Sequence, residues 1–130
     1  MIDDKLRTRM LTSSALSTKV GGTRIFPLIK PQGIIADSVV SQRISAVRDI
    51  YHGGITGLVQ SRFQFTCISA TPDGAKALAA DVVAILHGWT DRVASPRVFY
   101  CRVDNQIDLY EEGTDESAVA VDVIVQHEEG

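Results

Sequence analysis

Apolar residues recur along this chain in two periods, and the switches between them mark out its elements. Near the N-terminus Ile2, Leu6 and Met10 stand four apart, which predicts a helix roughly from Asp3 to Leu11. Asp3 and Asp4 fall at the positive end of its dipole. A second short helical turn, Ser14 to Val20, offers Leu16 and Val20 to a core and stops at Gly21-Gly22. The strongest helical pattern opens at Thr71-Pro72-Asp73: a good N-cap, a proline at the first helical position and an acid in the first turn. Ala75, Leu78, Ala79, Val82, Ile85, Leu86 and Trp89 then form a wide stripe suited to lying on a sheet, and Gly88 sits where a C-terminal glycine belongs.

Four stretches alternate instead with period two. Ser38 to Arg48 reads as a strand with Val40, Ile44 and Ala46 on one face and Ser41, Arg43 and Ser45 on the other. Leu58 to Ala70 places Phe63, Phe65 and Cys67 on one face, Arg62, Gln64 and Thr66 on the other. Arg97 to Val103 and Ser117 to Gln126 complete the set, the last carrying Val119, Val121, Val123 and Val125 in alternation. Between them lie a short extended piece from Arg24 to Leu28, a glycine-bearing tip from Asp49 to Gly57, and an acidic loop from Asp104 to Glu116. Paired strands without a crossover predict an α+β fold: an antiparallel four-stranded sheet with helices packed on one face, in a single domain spanning 1–130. Leu58 to Ala70 would reach about 44 Å extended, whereas a globule of this size is only about 36 Å across. The hairpin it forms must therefore bend or overhang, and its end, with Ile55, Leu58 and Val59, needs a covering surface. So does the apolar loop at Ile34-Ile35, covered by the domain's own edge or by a neighbouring subunit.

Composition narrows the class. With 130 residues, 45% hydrophobic and 22% charged, the chain is neither disordered nor a coiled coil. Its apolar runs are too short to cross a bilayer, and Met1-Ile2-Asp3-Asp4-Lys5 does not begin a secretory signal. A net charge of −3 argues against a general nucleic-acid binder. That charge is unevenly spread: residues 1–103 carry 13 bases against 7 acids, net +6, and residues 104–130 carry 9 acids and no base. An acidic segment beside a basic body is a solvated face, one half of a subunit contact, or a lining that lets DNA slide past.

Chemistry is scarce. Cys67 and Cys101 sit in apolar stretches and are expected to be buried free thiols. His52, His87 and His127 have no second ligand at metal spacing and read as surface residues. No CxxC, GxGxxG or GxxxxGK[ST] occurs, and the Gly53–Gly57 run is followed by neither a helix nor a lysine. Asp108, Glu111 and Glu112 read as solvated carboxylates, and Ile2 stands where small tautomerase-like enzymes carry a proline. No cofactor or metal is expected.

One ordered series of short motifs remains: Arg24-Ile25-Phe26-Pro27, Pro31-Gln32-Gly33, Gln42-Arg43-Ile44-Ser45, Arg48-Asp49, Gly57-Leu58, Arg62-Phe63-Gln64, the alanine-rich stretch from Ala75 to Gly88, and Asp108-Leu109-Tyr110-Glu111. In this order, over about residues 1 to 126, the chain resembles the tail completion proteins of long-tailed bacteriophages, also described as tail terminator or head–tail joining proteins. It has Asp37-Ser38 where relatives often carry a proline. The resemblance implies a structural virion protein without enzyme activity, made in the host cytoplasm and placed in the tail or neck. It implies a ring of six copies at the head-proximal end of the tail tube, ending tube growth and meeting the head connector or stopper protein, with DNA passing through the lumen without specific binding. The residues expected at subunit or tube contacts are Ile34, Ile35, Ile55, Leu58 and Val59, the bases Arg43, Arg48 and Arg62, and the segment with Asp108, Tyr110, Glu111 and Glu112. A small intracellular α+β enzyme or ligand-binding module is the alternative.

Overall fold

The computed structural model describes residues 2–21, 24–27, 37–51, 54–93, 97–111 and 116–128. Helices α1 (Ile2–Leu11) and α2 (Ser14–Lys19) precede a three-residue strand, β1 (Ile25–Pro27). Two long strands, β2 (Ser38–Tyr51) and β3 (Gly54–Ser69), lead into helix α3 (Pro72–Leu86), and β4 (Val98–Glu111) and β5 (Glu116–Glu128) close the chain. The strands form one sheet in the order β1-β2-β3-β5-β4. The α+β class is as the pattern predicts, with five strands in place of four. The fifth is the extended piece at Ile25, which pairs parallel to β2 through Ile25–Val39 and Phe26–Val40; every other pairing is antiparallel.

Helix α3 begins as its local chemistry dictates. The Thr71 hydroxyl accepts the Gly74 N–H at 3.1 Å and Pro72 occupies the first turn. Past the helix end Gly88 takes a φ of +81°, a conformation natural to glycine. The stripe Leu78, Ala79, Val82 and Leu86 is fully buried in one core with Phe63, Phe65 and Cys67 of β3 and Val119, Val121, Val123 and Val125 of β5. The Phe63 and Phe65 rings stack with centroids 6.1 Å apart. Ile2, Leu6, Met10, Leu16 and Val20 enter the same core, so all three helices share one side of the sheet. Arg7 Nε donates to the Ile25 carbonyl (3.1 Å) and Arg9 Nε to the Ile85 carbonyl (3.2 Å), tying α1 to β1 and to α3. The Arg9 guanidinium also lies over the Trp89 ring.

Gly74 has a packing role. A Cβ there would sit 2.2 Å from Ser69 Oγ, and that hydroxyl donates to Asp37 Oδ1 at 2.9 Å. Elsewhere in a helix Gly→Ala would stabilise by about 1 kcal/mol. Here Gly74→Ala is expected to destabilise by about 1–2 kcal/mol, because the methyl displaces a bonded hydroxyl. The urea midpoint of the variant checks this.

Three boundaries or faces differ from the sequence pattern. In β2 it is Val39, opposite Cys67, that is buried, while Val40 faces the side of Thr66. A bulge between Arg43 and Ser45 leaves Ile44 48% exposed and brings Arg43 over the Phe63 ring at 5.4 Å. The expected glycine tip is mostly strand, since β2 and β3 stay paired through Ile50–Ile55 and Tyr51–Gly54. The expected acidic loop is mostly strand: β4 continues to Glu111, paired along β5 from Gln106–Val121 to Glu111–Glu116. Strand β5, with its buried run of alternating valines, supplies a partner that holds this polar segment extended.

Candidate assembly surface

The helices cover one face of the sheet; among the described residues no helix packs on the other. On that second face charged residues pair within the chain. Arg62 Nη1 donates to Asp104 Oδ2 at 2.9 Å and lies 3.7 Å from Asp122; Arg102 Nη1 reaches Asp104 Oδ1 at 3.2 Å; Gln64 Nε2 donates to Asp122 Oδ1 at 3.3 Å. The hydrogen bond from Arg62, with the charges of Arg62 and Arg102, holds the Asp104 carboxyl below its ordinary range. Arg62 is thus engaged by two acids of its own subunit. Further along the same face Ile107 and Leu109 of β4 stand 43% and 49% exposed, in register with Ala120 and Ala118.

The hairpins extend in opposite directions. Pairing of β3 with β5 ends at Leu58–Glu128, whereas β2 and β3 continue to Tyr51–Gly54, so their hairpin overhangs the sheet at that end. The β4–β5 hairpin closes at the other end, beside the start of α3. A cleft of about 280 Å³ lies there, between Pro72, Ala75 and Lys76 of α3 and Asp108, Leu109 and Ala118 of the hairpin.

The expected contact residues distribute unevenly over this surface. Arg43 and Asp108 are exposed on β2 and β4. Val59 is only 3% exposed, because it sits between β2 and β5 on the helix side of the sheet, and it is unavailable to a partner. Arg48, Ile55 and Leu58 have backbone positions in the β2–β3 hairpin, as Tyr110 and Glu111 do at the end of β4. Ile34, Ile35 and Glu112 lie outside the described residues, as does His52.

His127 departs from expectation. It is 1% exposed, on the helix side of β5 opposite Val59, and its Nε2 lies 2.7 Å from the buried Ser61 Oγ. Its Nδ1–H donates to the Glu128 carbonyl, so in the neutral ring Nε2 accepts the Ser61 hydroxyl. The period-two alternation from Val119 through Val125, carried one step further, is the signal that reaches it. His87, by contrast, is exposed, and its Nδ1 accepts the Val103 N–H at 3.1 Å.

Among the described residues no group of three His, Cys, Asp or Glu side chains is placed to hold a metal. Both cysteines are buried free thiols, and burial pushes each up to about 12. The Asp81 charge adds to the effect at Cys67, and the Arg9 charge opposes it at Cys101. Neither thiol is expected to react with a thiol reagent at pH 8 until the protein is denatured. Because folding favours the protonated thiols, their stabilising contribution is full below about pH 8.5 and falls as pH rises toward 12. A stability titration between pH 7 and 11 should show that decline.

The family described as Tail completion protein gp17 matches residues 4–128. The chain belongs to the tail completion family. It is a structural, non-enzymatic protein of the phage tail or neck. No curated protein matches it. Among solved structures it is similar to a chain of the virion of a native gene transfer agent particle, at 18% identity and a TM-score of 0.78, over 95% of this chain and 91% of that one. This likeness shows a shared fold. Among the described residues no helix is long and apolar enough to cross a membrane.

Proposed function

We propose that this tail completion protein forms a ring, of six copies, at the head-proximal end of the tail tube. The ring ends tube polymerisation and presents its other side to the head connector or stopper protein. Each subunit is one domain, and DNA passes through the lumen without specific binding. The observation that carries the reading is the family match over residues 4–128. The shape agrees with it: the β2–β3 hairpin overhangs one end of the sheet and the β4–β5 pair ends at the other, so the two ends offer different surfaces, one toward the tube and one toward the connector. Within the β2–β3 hairpin, Arg48, Ile55 and Leu58 are the proposed contacts at one end. Tyr110, Glu111 and Glu112 take that role at the other, and Ile34 and Ile35 contribute from the segment before β2.

Imaging of particles made without this protein tests the proposal. Overlong tails, or heads and tails left unjoined, are expected. Particles with joined tails of normal length would overturn it.

A further inference from the structure

Among the described residues two strand edges of the sheet, on opposite sides, have no partner strand. On one side β1 pairs with β2 only through Ile25–Val39 to Pro27–Ser41; among the described residues nothing pairs with the outer edge of β2 from Gln42 to Tyr51. On the other side the turn after α3 caps the first half of β4. Asp91 and Val98 exchange backbone hydrogen bonds of 2.7 and 3.0 Å, the Gly88 N–H donates to the Cys101 carbonyl at 2.7 Å, and His87 accepts from Val103. From Asp104 to Glu111 no described residue covers that edge. Such an edge, with Ile107 and Leu109 half exposed and no proline, is a template for another strand.

We infer that the open edge of β4, residues 104–111, adds onto the open edge of β2, residues 42–51, of a second copy of this chain, so that the sheets of successive copies become continuous. Three observations fit these edges to each other. First, strand direction alternates from β2 through β3 and β5 to β4, so β4 runs antiparallel to β2, and a neighbour placed side by side presents its β4 antiparallel to β2. Second, the charges are complementary: residues 104–111 hold Asp104, Asp108 and Glu111 and no base, while residues 42–51 hold Arg43 and Arg48 against Asp49. Third, the faces match. Arg43 is in register with Phe63 and Asp108 with Val119, and both of those residues belong to the core on the helix side. In a continuous sheet that begins beyond Ser41, Arg43 and Asp108 are therefore diagonal neighbours on one face.

The contact joins two different edges, so it propagates from copy to copy, as a ring requires, and the rotation at each contact decides closure. Seating 104–111 beyond the stretch that β1 occupies staggers each copy along the strands, and stagger is what closing a sheet requires. This inference rests on the ring reading above and supplies its contact.

The test complements particle-producing cells that lack the wild-type protein, with finished particles as the readout. Arg43→Glu alone and Asp108→Lys alone each put like charges across every contact. Each is expected to lower particle yield by about tenfold or more, since a modest loss is repeated around the ring. One chain carrying both reversals restores the pairs. A mixture of the two single variants also restores them. In an alternating ring the glutamate introduced by R43E meets the lysine introduced by D108K at one contact, and the native Arg43 and Asp108 meet at the next; alternation requires an even number of copies. Wild-type yield from either single variant overturns the inference. So does a loss that neither the double variant nor the mixture repairs, which would mean that these edges meet another protein. The ring reading is judged separately, by tail length and joining in particles without the protein.

Discussion

Val82→Asp is expected to leave no folded protein at all. Val82 is fully buried in the middle of the α3 stripe, with Leu78, Ala79 and Leu86, against Phe63 and Phe65. Removing the valine side chain forfeits about 1.5–3 kcal/mol of burial. Placing a carboxylate there, among apolar side chains, adds several kcal/mol of desolvation. The sum approaches the whole stability of a domain this size, about 5–15 kcal/mol. Loss of the cooperative thermal transition, or recovery of the variant only as insoluble protein, is the expected measurement. A soluble variant with native-like circular dichroism would mean that α3 does not lie on the sheet through this stripe. A conservative change at the same place, Val82→Ile, serves as the contrast and should cost less than about 2 kcal/mol.

Where the determinants are local, the sequence is readable. Thr71, Pro72 and Gly88 mark the limits of α3 by chemistry that acts within one turn, and the valines of β5 announce a buried strand by alternation alone. What escapes such reading depends on partners distant in sequence. Asp104 to Glu111 looks like a solvated loop because its acids break the apolar pattern, yet β5 holds it as a strand, and Ile107 and Leu109 keep the period of two. Ile44 has the spacing of a core residue until the bulge at Arg43 and Ser45 turns it outward. The strand character of Ile25–Pro27 comes from β2, which three residues cannot announce. The assembly surface is legible in part. Its charges are visible in the chain, but only the topology shows that Arg62 is already engaged by Asp104 and Asp122, and that Arg43 and Asp108 stand on opposite edges of one sheet.

His127→Ala is expected to cost about 3–5 kcal/mol, the largest loss of any polar position in the core, because two penalties fall on one site. The ring is buried between β3 and the start of β4, in register with both Val59 and Val98, so truncation leaves a cavity of the kind that costs about 2–5 kcal/mol. It also strands the Ser61 hydroxyl, fully buried and bonded to Nε2 at 2.7 Å, at about 1–3 kcal/mol. Ser61→Ala alone deletes the hydroxyl without opening a large cavity and should cost less, about 1–3 kcal/mol. Removing both polar groups changes the balance: His127→Leu with Ser61→Ala fills the space and leaves neither partner of the hydrogen bond behind. That double variant is expected to be more stable than His127→Ala by about 2 kcal/mol or more. Urea unfolding of the four proteins gives the comparison directly. If His127→Ala proved no worse than Ser61→Ala, the ring would not be packed in the interior. If the double variant failed to recover stability, the pair would owe its place to something other than mutual satisfaction in a dry core. With His127 1% exposed and Ser61 fully buried, the dyad is sealed from solvent, so this Ser–His contact belongs to the scaffold that carries the assembly edges.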